Sequence, residues 1–324
     1  MYFIKIFIIS IYTIFFIFTN CFSEVKEEEF DFINNQTLLI SSNYNQLDKL
    51  FYKNYIKNIK EKKYSFSNIK IIEIYEKNKE YEIYNVIYQS EGLKISGLLS
   101  KPKIKKELYP AILICHGYYP PQTYFQGQGN LIYLQNLAKL GFVVFVPDYR
   151  NYGKSDKVSN PYEPGEVYDI INAYYALQEE KYVDKNKIIM MGSSWGGGLG
   201  LKAIVKVKPA LFINYYGQLG GLELNENYKI FLSRFTNNEK DIEEYFQKTS
   251  IYYHLNLINI PIYIFHGGKD TTVRPEQSIV LYNLLKKMNK QVDLKIFPEA
   301  PHAFADDYNN PSKEYLLKIL EKFL

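Results

Sequence analysis

From its middle onward, the chain alternates short, nearly unbroken apolar runs with longer segments whose apolar residues recur every three or four positions. The runs Ala111 to Cys115, Phe142 to Val146, Lys187 to Met191, Ala210 to Asn214, Pro261 to Phe265 and Val292 to Phe297 have the length of strands. Between and after them, Tyr124 to Leu140, Pro164 to Glu180, Trp195 to Val207, Pro275 to Lys290 and Pro311 to Phe323 carry helical spacing. Apolar strands separated by helices belong to a parallel sheet covered on both faces, so the pattern predicts an α/β fold with a mostly parallel central sheet. Upstream, Ile69 to Tyr75, Tyr81 to Tyr88 and Leu93 to Leu99 add two or three strands, the last pair a hairpin turning at Glu91-Gly92. The interval from Gly217 to Ile260 holds no clear strand. Its helix-like stretches, Asn225 to Arg234 and Glu239 to Gln247, predict a small helical cap over the sheet.

The first residues follow a different pattern. Lys5 supplies one positive charge ahead of Ile6 to Phe18, which is almost wholly apolar. That length suits the core of a signal peptide over residues 1–20 and is too short for a comfortable membrane span. Cys21 follows Phe18-Thr19-Asn20 in a setting that resembles a loose bacterial lipobox, with Asn20 where Gly, Ala or Ser is usual. Two fates are therefore open: membrane attachment through a lipidated Cys21, or simple secretion. Residues 21–68 read as a polar spacer containing one helix from about Asn45 to Lys60, and 69–324 as the main domain.

Composition changes this picture little. The 324 residues are 47% hydrophobic and 23% charged, which is ordinary globular composition. The net charge of +4 is small and its lysines are interleaved with acids, so no basic stripe points to a nucleic-acid partner. The other cysteine, Cys115, falls in a predicted central strand, and no disulfide with Cys21 is expected.

Candidate chemistry centres on Lys187 to Leu201, KIIMMGSSWGGGLGL. An apolar strand enters Gly192-Ser193-Ser194-Trp195-Gly196 and a helix follows, the context in which Gly-x-Ser-x-Gly forms a nucleophile elbow. A serine hydroxyl needs a base to take its proton, and the base needs a carboxylate to fix its tautomer. On this kind of sheet the chain order is Ser, then Asp or Glu, then His. Of the four histidines, that order selects His302, which follows the last predicted strand. His116 and His266 read better as hydrogen-bonded residues at strand ends, and His254 has no evident role. The carboxylate is best placed at Asp270, where a glycine turn leaves a strand at the edge on which open α/β sheets gather their sites. Glu299 is its rival, three residues before His302. Oxyanion donors are expected at the Trp195 N–H and in the loop His116-Gly117-Tyr118-Tyr119-Pro120: the Tyr118 N–H or, as a second version, a hydroxyl of Tyr118 or Tyr119.

From about Glu80 onward, the pieces ILICHGY, VVFVPDYRNYGKSD, IIMMGSSWGGG, IPIYIFHGGKDTTVRPEQS and FPEAPHAF resemble, in order and spacing, the hydrolase domain of prolyl-oligopeptidase-type serine peptidases. The resemblance implies an α/β-hydrolase fold, Ser194, Asp270 and His302 as the triad, and a structural loop at Asp148 to Gly153. In that loop Asn151 stands where the family usually has glycine. GSSWGGGLG and HGY are also similar to acetyl xylan esterases, in which the tyrosine after His-Gly gives an oxyanion N–H. PHAF resembles dienelactone hydrolases, which use a cysteine where this chain has Ser194. The N-terminal part is too short for the propeller that filters oligopeptides in the peptidases, so peptide specificity does not carry over. The expectation is an exported serine hydrolase acting on a small-molecule ester or short peptide, with no cofactor or metal. No HExxH, paired CxxC or P-loop is present. An esterase, a peptidase and a binding protein on an inactive hydrolase scaffold remain distinct outcomes.

Overall fold

The computed structural model describes residues 55–158, 164–219 and 250–324. The expected signal peptide, Cys21, most of the spacer and the cap segment 220–249 lie outside the described residues.

Nine strands form one sheet: β1 (Lys70–Lys77), β2 (Tyr81–Ser90), β3 (Leu93–Pro102), β4 (Tyr109–Cys115), β5 (Val143–Pro147), β6 (Val183–Ser193), β7 (Phe212–Tyr215), β8 (Ile262–Gly267) and β9 (Val292–Phe297). Their order is β1-β2-β3-β5-β4-β6-β7-β8-β9. β1 to β3 are a meander that joins β5 antiparallel; β4 to β9 are mutually parallel. Outside the sheet lie α1 (Tyr55–Glu61), α2 (Leu131–Leu140), α3 (Gly165–Gln178), α4 (Ser194–Ala203), α5 (Pro275–Lys287) and α6 (Lys313–Leu320). The mostly parallel sheet read from the hydrophobic pattern is thus borne out.

The two-residue period of the strands divides the interior into two cores. Ala111, Leu113 and Cys115 of β4 face the core shared with α1, α3, α4 and α5. Ile112 and Ile114 face the core shared with α2 and α6. Val143 and Phe145 of β5, and Ile188 and Met190 of β6, alternate with Val144, Val146, Ile189 and Met191 in the same way. Each of the Val, Leu, Ile, Phe and Met side chains among these contributes about 1.5–3 kcal/mol on burial. This double burial makes the central strands continuous apolar runs in the sequence. β1 differs: Ile71, Ile72 and Ile74 are about half exposed on the sheet's edge.

Several boundaries depart from expectation, among them the starts of α2 and β6. The helix expected from Tyr124 begins at Leu131, because Gly127 and Gly129 take left-handed φ of 80° and 70° and hold the chain in turns. β6 starts at Val183, earlier than its apolar run, and Tyr109 pairs with Val183 across a register shift.

Candidate active site

β6 ends with Ser193 in extended conformation, and the next residue, Ser194, has φ of 51° and opens α4. A left-handed backbone on a residue with a Cβ costs about 1–3 kcal/mol and persists only where its surroundings enforce it. Here the turn must be this tight because the backbones touch. A Cβ at Gly192 would meet the Gly196 carbonyl oxygen at 2.6 Å, and one at Gly196 would meet the Cys115 and His116 oxygens at 2.2 and 2.3 Å. Both glycines are therefore steric requirements of the elbow.

Three parts of the chain converge on the Ser194 side chain. Its hydroxyl bonds to His302 Nε2 at 3.1 Å, and His302 Nδ1–H donates to Asp270 Oδ2 at 2.7 Å. The carboxylate fixes the tautomer: with Nδ1 carrying the proton, Nε2 is free to accept from the serine. Asp270 follows β8, and its other oxygen accepts the N–H groups of Thr272 and Val273, each at 2.9 Å. Burial alone would raise the Asp270 pKa; His266, His302 and the Val273 N–H outweigh it and hold the carboxyl well below its ordinary range. His302 leans on Tyr216, their ring centroids 4.8 Å apart. Glu299, the rival carboxylate, is exposed and paired with Lys269.

The loop after β4 passes close to the serine: a side-chain carbon at Gly117 would sit 3.5 Å from Ser194 Cβ. Tyr118, next in line, is 62% exposed and stands edge-on to Trp195, so its ring faces away from the interior. The Tyr119 ring packs toward Gly129, whose side-chain direction its hydroxyl blocks. Trp195 is the second residue of α4, where backbone N–H groups have no partner within the helix.

The remaining histidines are all buried. His266 contacts Ser278 Oγ at 2.6 Å and the Val273 carbonyl at 2.8 Å, so its hydrogen bonds brace the Asp270 turn. His254 sits fully buried near Lys202, and burial pushes its pKa down to about 4. His116 holds two carbonyl groups. The loop Asp148 to Gly153 is clamped to α3 by Arg150, whose backbone N–H, Nε and Nη2 all donate to Asp169 at 2.8–3.0 Å. Asn151 has φ of 70°, a conformation asparagine tolerates better than most residues, which accounts for its standing in place of glycine. Among the described residues, no group of three or more His, Cys, Asp or Glu side chains is placed to hold a metal ion.

The model of the prolyl oligopeptidase family of peptidases matches residues 130–322, more than half of the chain. The chain belongs to the prolyl oligopeptidase family. It is a serine hydrolase of that family with an α/β-hydrolase fold. The uncharacterized peptidase YtmA of Bacillus subtilis is 27% identical over 234 residues, covering 70% of this chain and 88% of that protein. The acylamino-acid-releasing enzyme of Mus musculus is 23% identical over 238 residues, covering 67% of this chain but 32% of that enzyme. The chain thus spans about a third of the longer relative. Acetyl xylan esterase 1 from Thermoanaerobacterium sp. JW/SL YS485 shares the fold with a TM-score of 0.60 at 19% identity, covering 88% of this chain and 92% of that one.

One group near the site of this prolyl oligopeptidase family member escaped sequence reasoning. The carboxyl of Asp306, in the turn after His302, is pushed up to about 6 by desolvation, with the His302 charge pulling the other way. It borders a small crevice lined also by Asn130, Tyr133, Ser193, Tyr215 and Tyr216. The available signal was an acid four residues beyond the selected histidine, in His302-Ala303-Phe304-Ala305-Asp306.

Proposed function

We propose that Ser194, His302 and Asp270 are the catalytic triad, and that the enzyme cleaves a carboxylic ester or an amide bond through an acyl-serine intermediate. The observation that carries this is the unbroken hydrogen-bonded chain from Ser194 Oγ through His302 to Asp270. His302 Nε2 takes the serine proton as Oγ attacks the carbonyl carbon, and Asp270 stabilises the resulting imidazolium. The Trp195 and Tyr118 N–H groups receive the negative charge that develops on the carbonyl oxygen. Collapse of the tetrahedral intermediate expels the leaving group, which takes its proton from His302. Water then repeats the sequence on the acyl-serine and regenerates the free hydroxyl.

Labelling with a fluorophosphonate probe tests this assignment. The wild type should label and Ser194→Ala should not; equal labelling of both would move the nucleophile elsewhere. Short acyl esters compared with aminoacyl amides then separate the two substrate classes. Esterase activity on acylated carbohydrate is the second reading. It is supported by the likeness to acetyl xylan esterase 1 along almost the whole of that chain, whereas the acylamino-acid-releasing enzyme is matched over 32% of its length. We further infer export, with attachment to a bacterial membrane through lipidated Cys21. The apolar stretch Ile6 to Phe18 and the cysteine that follows support it. Fatty-acid labelling lost in Cys21→Ser would uphold the anchor, and unlabelled wild type would rule it out.

A further inference from the structure

His116 is fully buried, yet among the described residues neither of its ring nitrogens meets a group able to donate to it. Nδ1 lies 2.7 Å from the Gly117 carbonyl oxygen and Nε2 2.9 Å from the Asp148 carbonyl oxygen. Carbonyl oxygens only accept, and neutral imidazole has a single N–H. A neutral ring would therefore press a lone pair against one of these oxygens. Two N–H donors, as in imidazolium, satisfy both.

The surroundings also suit a cation. The rings of Tyr149 and Tyr124 stack on His116 at centroid distances of 4.1 and 5.1 Å, with interplanar angles of 17° and 23°. Tyr152 meets it edge-on and Tyr119 lies 6.2 Å away. Aromatic faces attract a buried cation through their quadrupoles. Among the described residues, the one carboxylate facing this group is Asp148, itself fully buried. It accepts from Tyr124 Oη at 2.8 Å, Ser96 Oγ at 2.6 Å and Gln126 Nε2 at 2.8 Å, three donors that favour its ionised form. Burial works against both charges, lowering the pKa of His116 and raising that of Asp148; the two carbonyls, the three donors and the mutual attraction oppose it.

The bond to Gly117 has a consequence for Ser194. In a trans peptide the C=O and N–H point in opposite directions. Holding the Gly117 carbonyl toward the imidazole turns the Tyr118 N–H the other way, in a loop that passes within van der Waals reach of Ser194. A carbonyl bonded to a cation also polarises its own peptide and strengthens the N–H as a donor.

We propose that His116 is a constitutive imidazolium and a positioning residue: through the Gly117–Tyr118 peptide it aims and strengthens the oxyanion donor. This rests on the assignment of Ser194 as nucleophile and of the Tyr118 N–H as donor. His116 never exchanges a proton with substrate; its charge is a fixed part of the site.

Two measurements on the full-length protein test the proposal. In the first, histidine labelled with nitrogen-15 is followed by long-range nitrogen–proton NMR from pH 6 to 9, with His116→Gln to assign the signal. Both His116 nitrogens should stay protonated throughout; the pattern of a neutral tautomer at pH 7.5 overturns the proposal, whatever the activity. In the second, His116→Gln, which keeps one donor, and His116→Phe, which keeps only the stacked ring, are compared with wild type. Loss of kcat of about 10- to 100-fold is expected, larger for Phe than for Gln, with KM little changed and a matching loss of affinity for a boronic acid transition-state analogue. A folded variant with wild-type kcat, or one altered in KM alone, overturns the positioning role. Wild type that fails to label with fluorophosphonate would instead sink the nucleophile assignment, leaving the charge of His116 to be judged by NMR.

Discussion

His302 bonds the serine directly and His116 precedes the Gly117 that passes beside it, and their partners give the two histidines opposite characters. His302 faces one carboxylate and one hydroxyl, with a fifth of its side chain open to solvent, so its Nε2 has a hydroxyl from which to accept. His116 faces two carbonyl oxygens inside a closed cluster of tyrosines, where losing a proton would leave an acceptor against an acceptor. On the proposed assignments the same side chain is a proton shuttle in one place and a fixed charge in the other. Which atoms accept, more than depth of burial, makes the difference.

The largest test removes the shuttle. His302→Ala should lower kcat by about 10⁴- to 10⁶-fold, the scale on which triad members act as a unit, measured on whichever ester or amide the wild type turns over. Asp270→Asn keeps the shape but frees His302 to adopt the other tautomer, and should cost about 10⁴-fold in kcat. The same variant sharpens the electrostatic contrast. Because the Asp270 pKa is depressed on folding from its ordinary 3.8, its ionised form contributes stability above about pH 4 that is lost as pH falls through the native value. The Tm gap between wild type and variant should therefore narrow below pH 4 in calorimetry. A gap that widens there would contradict the assigned hydrogen bonds.

Gly196→Ala probes the packing of the elbow against the Cys115–His116 backbone. With the Cβ driven to 2.2 Å from the Cys115 oxygen, it should destabilise by about 3 kcal/mol, read from the denaturant midpoint. Asp306→Asn is the smallest perturbation: it should leave kcat within about threefold and remove an inflection near pH 6 from the kcat/KM profile. An unchanged profile would separate Asp306 from the chemistry.

The fold was legible because β4 to β9 are buried on both faces, which writes Ala111 to Cys115 or Ile188 to Met191 into the sequence as unbroken apolar runs. The start of α2 was less so: helical spacing continues upstream of Leu131, and only the paired left-handed glycines at 127 and 129 stop the helix. The Gly-x-Ser-x-Gly turn singled out Ser194 and chain order singled out His302, while Asp270 was chosen for its place after a strand end, because a sheet of this kind brings its strand ends to one edge. Chain order could not rank Glu299 below Asp270 on contact, since the Lys269 pairing that turns Glu299 to solvent is a three-dimensional fact. The buried role of His266 was anticipated as a hydrogen-bonded strand end, and its bracing of the Asp270 turn was not.

By itself the sequence determined the layered parallel sheet, the strand-turn-helix at Ser194 and the short set of residues able to act with it. Those follow from local periodicity, glycine sterics and connectivity, all of which are linear properties of the chain. Only the tertiary structure decided what each histidine touches. A hydroxyl and a carboxylate, or two carbonyls among tyrosines, arrive from segments up to 108 residues apart, and a proton's place on an imidazole depends on those partners alone.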